Sequence, residues 1–324
     1  MGINYDTGFA PAGQLSRPAW DLDQVEREIQ VIAVDLHCTA VRISGGDPGR
    51  LTAAARLAAA AGLEVWFAPF PCELSQDDTR AMLLDCADRA EALRQTGAAV
   101  VFVAGCELSL FGAGFMPGET FAERMTAFGQ VDLAGVQAQL GEYLSSVAND
   151  ARKRFGGRIT YAAGPWEDLD WSAFDIVSMD GYRAAENHDA FPYIVKRMFR
   201  HGKPVAITEF GCCTYTGAGD RGGMGWAIID HEAEPMRLNG DYVRDEDEQV
   251  RYLTELLAIF EAAGVDTAFW FTFAGYRLVH RDDDPRTDLD MASYGLIALL
   301  DPEGVTWRPK KAFGALATAY TRTE

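Results

Sequence analysis

The sequence predicts an α/β fold and, within that class, a single-domain (β/α)8 TIM barrel spanning residues 1–324. Strand-like apolar runs alternate with helix-like periodicity along the chain, which indicates a parallel sheet. Helix-to-strand turns are short, strand-to-helix loops are long, and the length suits one barrel. Two strands end in a glutamate, at the position where barrel enzymes hold their chemistry. An open, doubly wound sheet is the alternative, but residues 6–9 do not form the glycine-rich turn that such sheets often carry.

The first half of the chain contains four strand–helix units. We predict strands at residues 2–5, 40–43, 63–70 and 99–104 and helices at residues 21–36, 48–61, 75–96 and 132–155. The spacing of Leu22, Val25 and Ile29 is typical of an amphipathic helix. Ser75 is a favourable N-cap, and Gly62 ends the alanine-rich second helix. Residues 108–130 are predicted to be a loop.

The second half continues the alternation. We predict strands at residues 158–162, 174–179, 205–208 and 266–273, helices at 191–201, 246–263 and 310–320, and a hairpin strand at 294–300. A short segment with Trp166 and Trp171 separates the fifth and sixth strands, and Gly264 stops the helix before the eighth. Residues 212–245 are polar and glycine-rich, so we expect a mobile segment that orders over a bound ligand.

Composition narrows the possible partners and locations. Lysine and arginine number 29 against 48 aspartates and glutamates, a net charge of -19, which disfavours nucleic acid and anionic membranes. The start, MGINYD, has no signal-peptide pattern, and no apolar run is as long as a membrane span. Six cysteines, two of them adjacent, suit reduced thiols. We therefore expect a cytoplasmic protein without a nucleic-acid or membrane partner, and the sequence does not indicate its oligomeric state.

Polar and aromatic residues collect at the predicted strand ends. The two glutamates are Glu107 and Glu209, and the candidate ligand-binding residues are Asp6, Arg42, Trp166, Asp180, Tyr182 and Trp270. Carboxylates accept hydrogen bonds from hydroxyls and aromatic faces pack on sugar rings, so the set suits a small carbohydrate. Cleavage of a glycosidic bond requires one carboxyl as proton donor and a second as nucleophile or base.

The surroundings of the two glutamates suggest different roles. Arg42 and Tyr182 would hold Glu209 ionised by charge and hydrogen bonding, whereas Glu107, farther from cations, would retain a proton. Glu209 is then the ionised carboxyl and Glu107 the proton donor, and the distance between them decides whether Glu209 attacks the sugar, with retention, or activates water, with inversion. The fourth and seventh strands are not neighbours, so we expect these glutamates to face each other across the barrel mouth.

Two other functions remain open. A catalytically silent barrel could bind a carbohydrate with the same residues. Cys106, Cys212 and Cys213 lie beside the two glutamates in sequence, and thiolates with a carboxylate could form a zinc-dependent hydrolase site. Free cysteines are more often small buried apolar residues, so no metal is expected. The glycines of residues 217–222 open no apolar helix, so they indicate a flexible loop and no nucleotide cofactor.

Several motifs resemble those of clan-A glycoside hydrolases, near the β-mannanase-like branch with a Gly-x-Glu-Leu strand-four motif. The similar stretches are VRIS, VFVAGCEL, FDIVSMDGYR, ITEFG and AFWFTF, in that order. The resemblance implies a (β/α)8 barrel in which Glu107 is the acid/base, Glu209 the nucleophile and Trp270 the tryptophan under the sugar. Much of the clan has an asparagine, which contacts the sugar 2-hydroxyl, where this chain has Cys106, and a thiol is a poor substitute for an amide.

Overall fold

Eight parallel strands form the centre of the protein. The computed structural model describes residues 1–321. The strands are β1 Gly2–Asp6, β2 Ala40–Gly45, β3 Glu64–Pro69, β4 Val100–Cys106, β5 Arg158–Ala162, β6 Val177–Asp180, β7 Val205–Phe210 and β8 Thr267–Trp270. Their order around the sheet is β5-β4-β3-β2-β1-β8-β7-β6. Pairing of β1 with β8 joins the two ends of the chain, and this arrangement confirms the predicted (β/α)8 barrel.

The seam between β5 and β6 almost closes the barrel. A parallel bridge joins Ala163, just beyond the end of β5, to Met179 of β6. At the other end of the seam, the amide of Asp175 donates to the carbonyl of Ile159 at 2.9 Å. The Thr160 and Ser178 hydroxyls are hydrogen-bonded at 2.7 Å between these points. The seam is therefore held by individual contacts in place of a continuous ladder.

Nine helices surround the strands among residues 1–321. They are α1 Leu22–Gln30, α2 Pro48–Ala60, α3 Gln76–Arg94, α4 Leu108–Phe111, α5 Phe121–Ala127, α6 Leu133–Ala151, α7 Phe191–Met198, α8 Glu246–Ala263 and α9 Lys311–Thr321. Ser75 caps α3 through the amide of Asp78, as predicted. Gly264 ends α8 with a φ of 81°, a conformation in which glycine avoids the cost of a Cβ. None of these helices is both long enough and apolar enough to cross a membrane.

Two predicted elements differ clearly from the structure, and the alternation of strand and helix has one gap. The first helix ends at Gln30 and continues as a π-helical turn, Val31–Asp35. The region predicted as a loop after β4 contains α4 and α5, and Thr120 begins α5 with a capping box to Glu123. No helix lies between β5 and β6 in the described chain, so the alternation of strand and helix is incomplete. A cavity of about 420 Å³ lies beside this gap, against Trp166 and Trp171.

The barrel separates the apolar core into two layers. Side chains alternate between the faces of a strand, so each strand contributes to both layers. The inner layer includes Trp66, Val101 and Phe269, all of them buried. Larger numbers of aliphatic side chains, among them Ile43 and Leu140, fill the outer layer between strands and helices. Inside the barrel, near the C-terminal ends of the strands, the side chains are polar, and these polar side chains form part of the candidate site.

The segment between β7 and α8 is folded. It contains a 3-10 helix, Ala218–Met224, and a small hairpin in which Ile229–Asp230 pairs with Arg237–Leu238. Its apolar side chains form a cluster with the chain that follows β8. The Tyr294 hydroxyl donates to the carbonyl of Gly222 at 2.7 Å and accepts from the amide of Gly225 at 2.9 Å. The segment therefore has internal structure, and its movement over a ligand stays a prediction.

Candidate active site

Glu209 lies near the end of β7 and accepts hydrogen bonds from two predicted partners. Arg42 Nη1 donates to Glu209 Oε1 at 2.6 Å, and the Tyr182 hydroxyl donates to Oε2 at 2.9 Å. The Arg42 side chain is fully buried, whereas that of Glu209 keeps 12% of its surface exposed. Each carboxylate oxygen therefore has a donor, and one of these donors is a cation.

Asn4 positions Arg42 from the neighbouring strand. The two residues are register partners in β1 and β2, so both side chains point into the barrel. Asn4 Oδ1 accepts from Arg42 Nη1 at 2.8 Å, and Asn4 Nδ2 donates to the carbonyl of Thr208 at 2.9 Å. Burial opposes a charged guanidinium, but the acidic groups of Cys106, Glu209 and Asp180 raise the pKa of Arg42 above its ordinary value. Arg42 is thus a fixed cation beside the nucleophile candidate.

Glu107 lies just beyond β4 in a left-handed backbone conformation, with a φ of 42°. Its amide donates to the carbonyl of Ala162 at 2.9 Å, which connects the end of β4 to β5. Burial raises the pKa of the Glu107 carboxyl well above its ordinary value, and the negative charges of Asp180, Glu209 and Glu167 raise it further. Glu107 therefore favours the protonated form that a general acid requires.

Asp180 is a third acidic group on the floor of the site. It is fully buried, and its Oδ2 accepts a hydrogen bond from Cys106 Sγ at 3.3 Å. Burial and the charge of Glu209 raise the pKa of Asp180 to about 8. Burial likewise raises the pKa of the Cys106 thiol, so Cys106 remains a thiol. The residue in the position of the clan's asparagine is thus turned toward Asp180.

The three cysteines of the zinc hypothesis do not meet. Cys106 Sγ lies with carboxylate oxygens of Asp180 and Glu209, all within 4.8 Å of one another. Cys212 is buried in the outer apolar layer, and Cys213 lies in the cluster under the β7–α8 segment, where its Sγ donates to the carbonyl of Ala292. The acidic groups around Cys106 already have the Arg42 cation beside them. A site built from all three thiols is therefore excluded in this structure.

Two predicted ligand-binding residues face other parts of the molecule. Trp270 is fully buried, packs against Phe210 and donates from Nε1 to the carbonyl of Tyr294 at 3.1 Å. Because Phe269 points into the barrel, the alternation of β8 turns Trp270 outward. The prediction that Trp270 lies under a sugar does not fit this position. Asp6 is buried, and its Oδ1 accepts from the amide of Gly8 at 2.7 Å, so it supports the loop after β1.

Trp166 contacts the segment that follows Glu107. Its ring is half-buried and packs edge-on against Phe128, with centroids 5.1 Å apart. Its Nε1 donates to the Ser109 hydroxyl at 3.0 Å, two residues after Glu107. Arg42, Asp180 and Tyr182 are therefore brought together around Glu209, and Trp166 is connected to the backbone that follows Glu107.

Three residues of the site were not predicted from the sequence. Asn4 supports Arg42. Side chains alternate between the two faces of β1, and this alternation could have identified Asn4 as a residue that points into the barrel. Phe271 is half-buried and packs against Tyr294, whose ring also contacts Tyr182. Because several aromatic residues follow one another at the end of β8, the sequence did not show which of them faces the mouth of the barrel. Glu167 is buried behind Glu107, and no local pattern marks it.

No protein family model matches the sequence, and no curated protein sequence matches it. Solved structures do match. A GH113 β-1,4-mannanase has a TM-score of 0.65 and 14% identity, covering 99% of this chain and 98% of its own. The GH113 β-mannanase AaManA from Alicyclobacillus acidocaldarius has a TM-score of 0.60 and 15% identity, covering 99% and 96%. A family 1 β-glucosidase from Thermotoga maritima has a TM-score of 0.56 and 10% identity, covering 99% and 96%. The resemblance to clan-A glycoside hydrolases is thus confirmed for the fold: this chain has the (β/α)8 barrel of those enzymes.

Proposed function

We propose that the protein is a retaining glycoside hydrolase that acts on a small soluble glycoside or oligosaccharide, with the barrel as one catalytic domain. Glu209 is the nucleophile and Glu107 the acid/base. The observation that carries this proposal is the contrast between the two carboxyls. Glu209 accepts from a buried cation and a phenol. Burial and neighbouring negative charges raise the pKa of Glu107. A carboxyl whose surroundings favour the protonated form can act as the acid, and a carboxyl whose surroundings favour the ionised form can act as the nucleophile.

The proposed reaction has two steps. Glu107 donates its proton to the leaving oxygen while Glu209 attacks the anomeric carbon, which gives a covalent glycosyl–enzyme. Glu107, now ionised, takes a proton from water, and that water releases the sugar from Glu209. Arg42 and Tyr182 orient the attacking carboxylate before the first step.

The surroundings of the carboxyls support a carbohydrate ligand. Trp166, Tyr182 and Phe271 are half-buried aromatics, and they lie with the polar groups around Glu209 and Glu107. Two of the structures with a similar fold are described as β-mannanases and one as a β-glucosidase. These features favour a neutral sugar over a charged or purely apolar ligand.

Replacement of each glutamate tests the assigned roles. Glu209→Ala should abolish turnover of aryl glycosides, and added azide or formate should restore part of it by occupying the vacated space. Glu107→Ala should slow substrates with poor leaving groups much more than activated ones, because only the former need protonation. Glu261→Ala, at an exposed position on α8, is the control and should behave like wild type. Equal losses on both substrate types in Glu107→Ala would contradict the assignment.

The anomeric configuration of the first product tests retention. Retaining enzymes hold the carboxyls about 5–5.5 Å apart, whereas inverting enzymes need about 6.5–9.5 Å to admit a water. Proton NMR during the first minutes of hydrolysis should show the starting configuration. An inverted first product would assign Glu209 as a base that activates water.

A catalytically silent carbohydrate-binding barrel is the second candidate, and Cys106 is the observation that favours it. Its thiol points to Asp180, so no amide at this position reads a sugar hydroxyl. Calorimetric binding of an oligosaccharide without turnover across a glycoside panel would support this function. Turnover that is lost in Glu209→Ala would exclude it.

A further inference from the structure

Glu167 is a buried carboxylate with four hydrogen-bond donors. The Ser109 amide lies 3.1 Å and the Ser109 hydroxyl 2.5 Å from Oε1. The Tyr161 hydroxyl lies 2.9 Å from Oε2, and so does the amide of Gly164. Only 6% of the residue is exposed. This set of contacts lies directly behind the backbone that carries Glu107.

The direction of each proton in this network is fixed by its outer partners. Trp166 Nε1 is an obligatory donor and bonds to the Ser109 hydroxyl, so that hydroxyl gives its proton to Glu167. The amide of Leu108 donates to the Tyr161 hydroxyl at 2.7 Å, so the phenol also gives its proton to Glu167. The other two donors are backbone amides. Burial raises the pKa of Glu167, but four neighbouring groups donate hydrogen bonds to it, and these bonds favour the ionised carboxylate.

The same network holds the residues that follow Glu107. Leu108 and Ser109 are fixed through Tyr161 and Glu167, while Glu107 itself has the left-handed φ of 42°. A non-glycine residue rarely adopts that conformation unless its surroundings impose it. The contacts to residues 108 and 109 supply that constraint and so determine where the Glu107 carboxyl points.

We propose that Glu167 is the positioning residue of the acid/base: an ionised carboxylate that fixes the backbone after Glu107 and, by its charge, favours the protonated Glu107. The role rests on the proposed function of Glu107. Through Ser109 the same carboxylate also holds the Trp166 ring, so the backbone after Glu107 and this ring share one support. The groups that face Glu107 are Arg42 from β2, Cys106 from β4, Glu167, Asp180 from β6 and Glu209 from β7. Among them, Glu167 alone also bonds to the backbone after Glu107.

Glu167→Gln separates the charge from the packing. The substitution keeps the shape of the side chain and removes the negative charge. It also places an NH2 group against neighbours that are themselves hydrogen-bond donors. The alkaline limb of kcat/KM on a substrate with a poor leaving group should move to lower pH by about half a unit or more, because a charge that favoured protonated Glu107 is gone. Glu28→Gln is the matched control. Glu28 is also buried and accepts from two tyrosines, Tyr5 and Tyr276, outside the site. It should lower the melting temperature without moving the pH profile.

Tyr161→Phe separates position from charge. It leaves Glu167 ionised but removes the acceptor of the Leu108 amide, so kcat should fall about tenfold or more while the alkaline limb stays in place. If Glu167→Gln does not fold, this variant and Glu167→Asp, which keeps the charge, carry the test. An unchanged pH profile in folded Glu167→Gln, or an unchanged kcat in Tyr161→Phe, would overturn the proposal.

Carbon-13 NMR of the glutamate carboxyls makes the test independent of turnover. The signal that disappears in Glu107→Gln identifies Glu107, and its titration should shift to lower pH in Glu167→Gln. If this shift is seen but no glycoside is hydrolysed, the proposed function fails, whereas the effect of the Glu167 charge on the protonation of Glu107 stands. If glycosides are hydrolysed and the titration is unchanged, the positioning role fails alone.

Discussion

Arg42 Nη1 lies 2.6 Å from Glu209 Oε1, and the Arg42 side chain has no surface exposed to solvent. Asn4 accepts a second hydrogen bond from the same nitrogen, so the guanidinium has little freedom to follow a displaced carboxylate. A pair of this kind differs from the ion pairs on the helices, because removal of one partner leaves the other buried and uncompensated.

Arg42→Met tests how much the site depends on this cation. We expect turnover to be lost and the free energy of unfolding to fall by about 3–5 kcal/mol, since Glu209 loses its partner in a buried position. Urea denaturation at pH 7 measures the second effect. Arg152→Met, which breaks an exposed pair with Asp175, should cost less than about 1 kcal/mol.

The double variant Arg42→Met with Glu209→Gln checks the cause of that loss. Removal of both charges should recover much of the stability but none of the activity. A single Arg42→Met variant as stable as Arg152→Met would show that the buried charge does not need compensation.

Tyr182→Phe removes the second hydrogen bond to Glu209 and keeps the ring. We expect kcat to fall by roughly tenfold or more, with a stability loss of about 1 kcal/mol, because one hydrogen bond is lost and the packing against Tyr294 stays. Steady-state kinetics and calorimetry measure the two effects. Tyr193→Phe is the control, since that side chain is 67% exposed. Unchanged kcat in Tyr182→Phe would remove Tyr182 from the catalytic machinery.

Asp180 makes the stability depend on pH. Its pKa is about 8 in the folded protein and 3.8 in the unfolded chain, so the unfolded state loses this proton first. The contribution of Asp180 to stability is therefore complete below pH 4 and declines as the pH rises toward 8, by at most about 1.4 kcal/mol for each pH unit.

Asp180→Asn removes this titration. The difference in unfolding free energy between Asp180→Asn and wild type should move in favour of the variant between pH 4 and pH 8, as measured by urea denaturation across that range. Asp189→Asn, at a fully exposed side chain, should show no such trend. A constant difference for Asp180→Asn would mean that Asp180 is ionised in the folded protein.

Zinc should contribute nothing to activity or stability. The acidic oxygens near Cys106 already have Arg42 beside them, and Cys212 and Cys213 are buried elsewhere. Chelator treatment should leave the melting temperature and the turnover rate unchanged, and elemental analysis of protein purified without added metal should give far less than one zinc per chain. Stoichiometric zinc, with activity lost on chelation, would instead favour the metal-dependent hydrolase.

Local patterns were sufficient to predict most of the barrel. The alternation of strand and helix and the caps at Ser75 and Gly264 are short-range signals, and the structure confirms them apart from the missing helix between β5 and β6. The register of a strand, in contrast, could not be predicted from local patterns. Trp270 and Phe271 are adjacent aromatics, and only the pairing of β8 with its neighbours decided that Trp270 faces the helices. A strand that is apolar on both faces gives no alternation from which to read this.

By itself, the sequence determined which residues stand at the strand ends, because a strand-end carboxylate such as Glu107 or Glu209 is a matter of chain position. Their environments were decided by the tertiary structure. Arg42 and Glu209 are 167 residues apart, and Glu167 reaches Ser109 across 58 residues. Burial, charge and proton direction depend on which distant groups the closing barrel brings within a few ångströms, and no local pattern records those contacts. The physical reason is that solvation and Coulomb energy are properties of the assembled site.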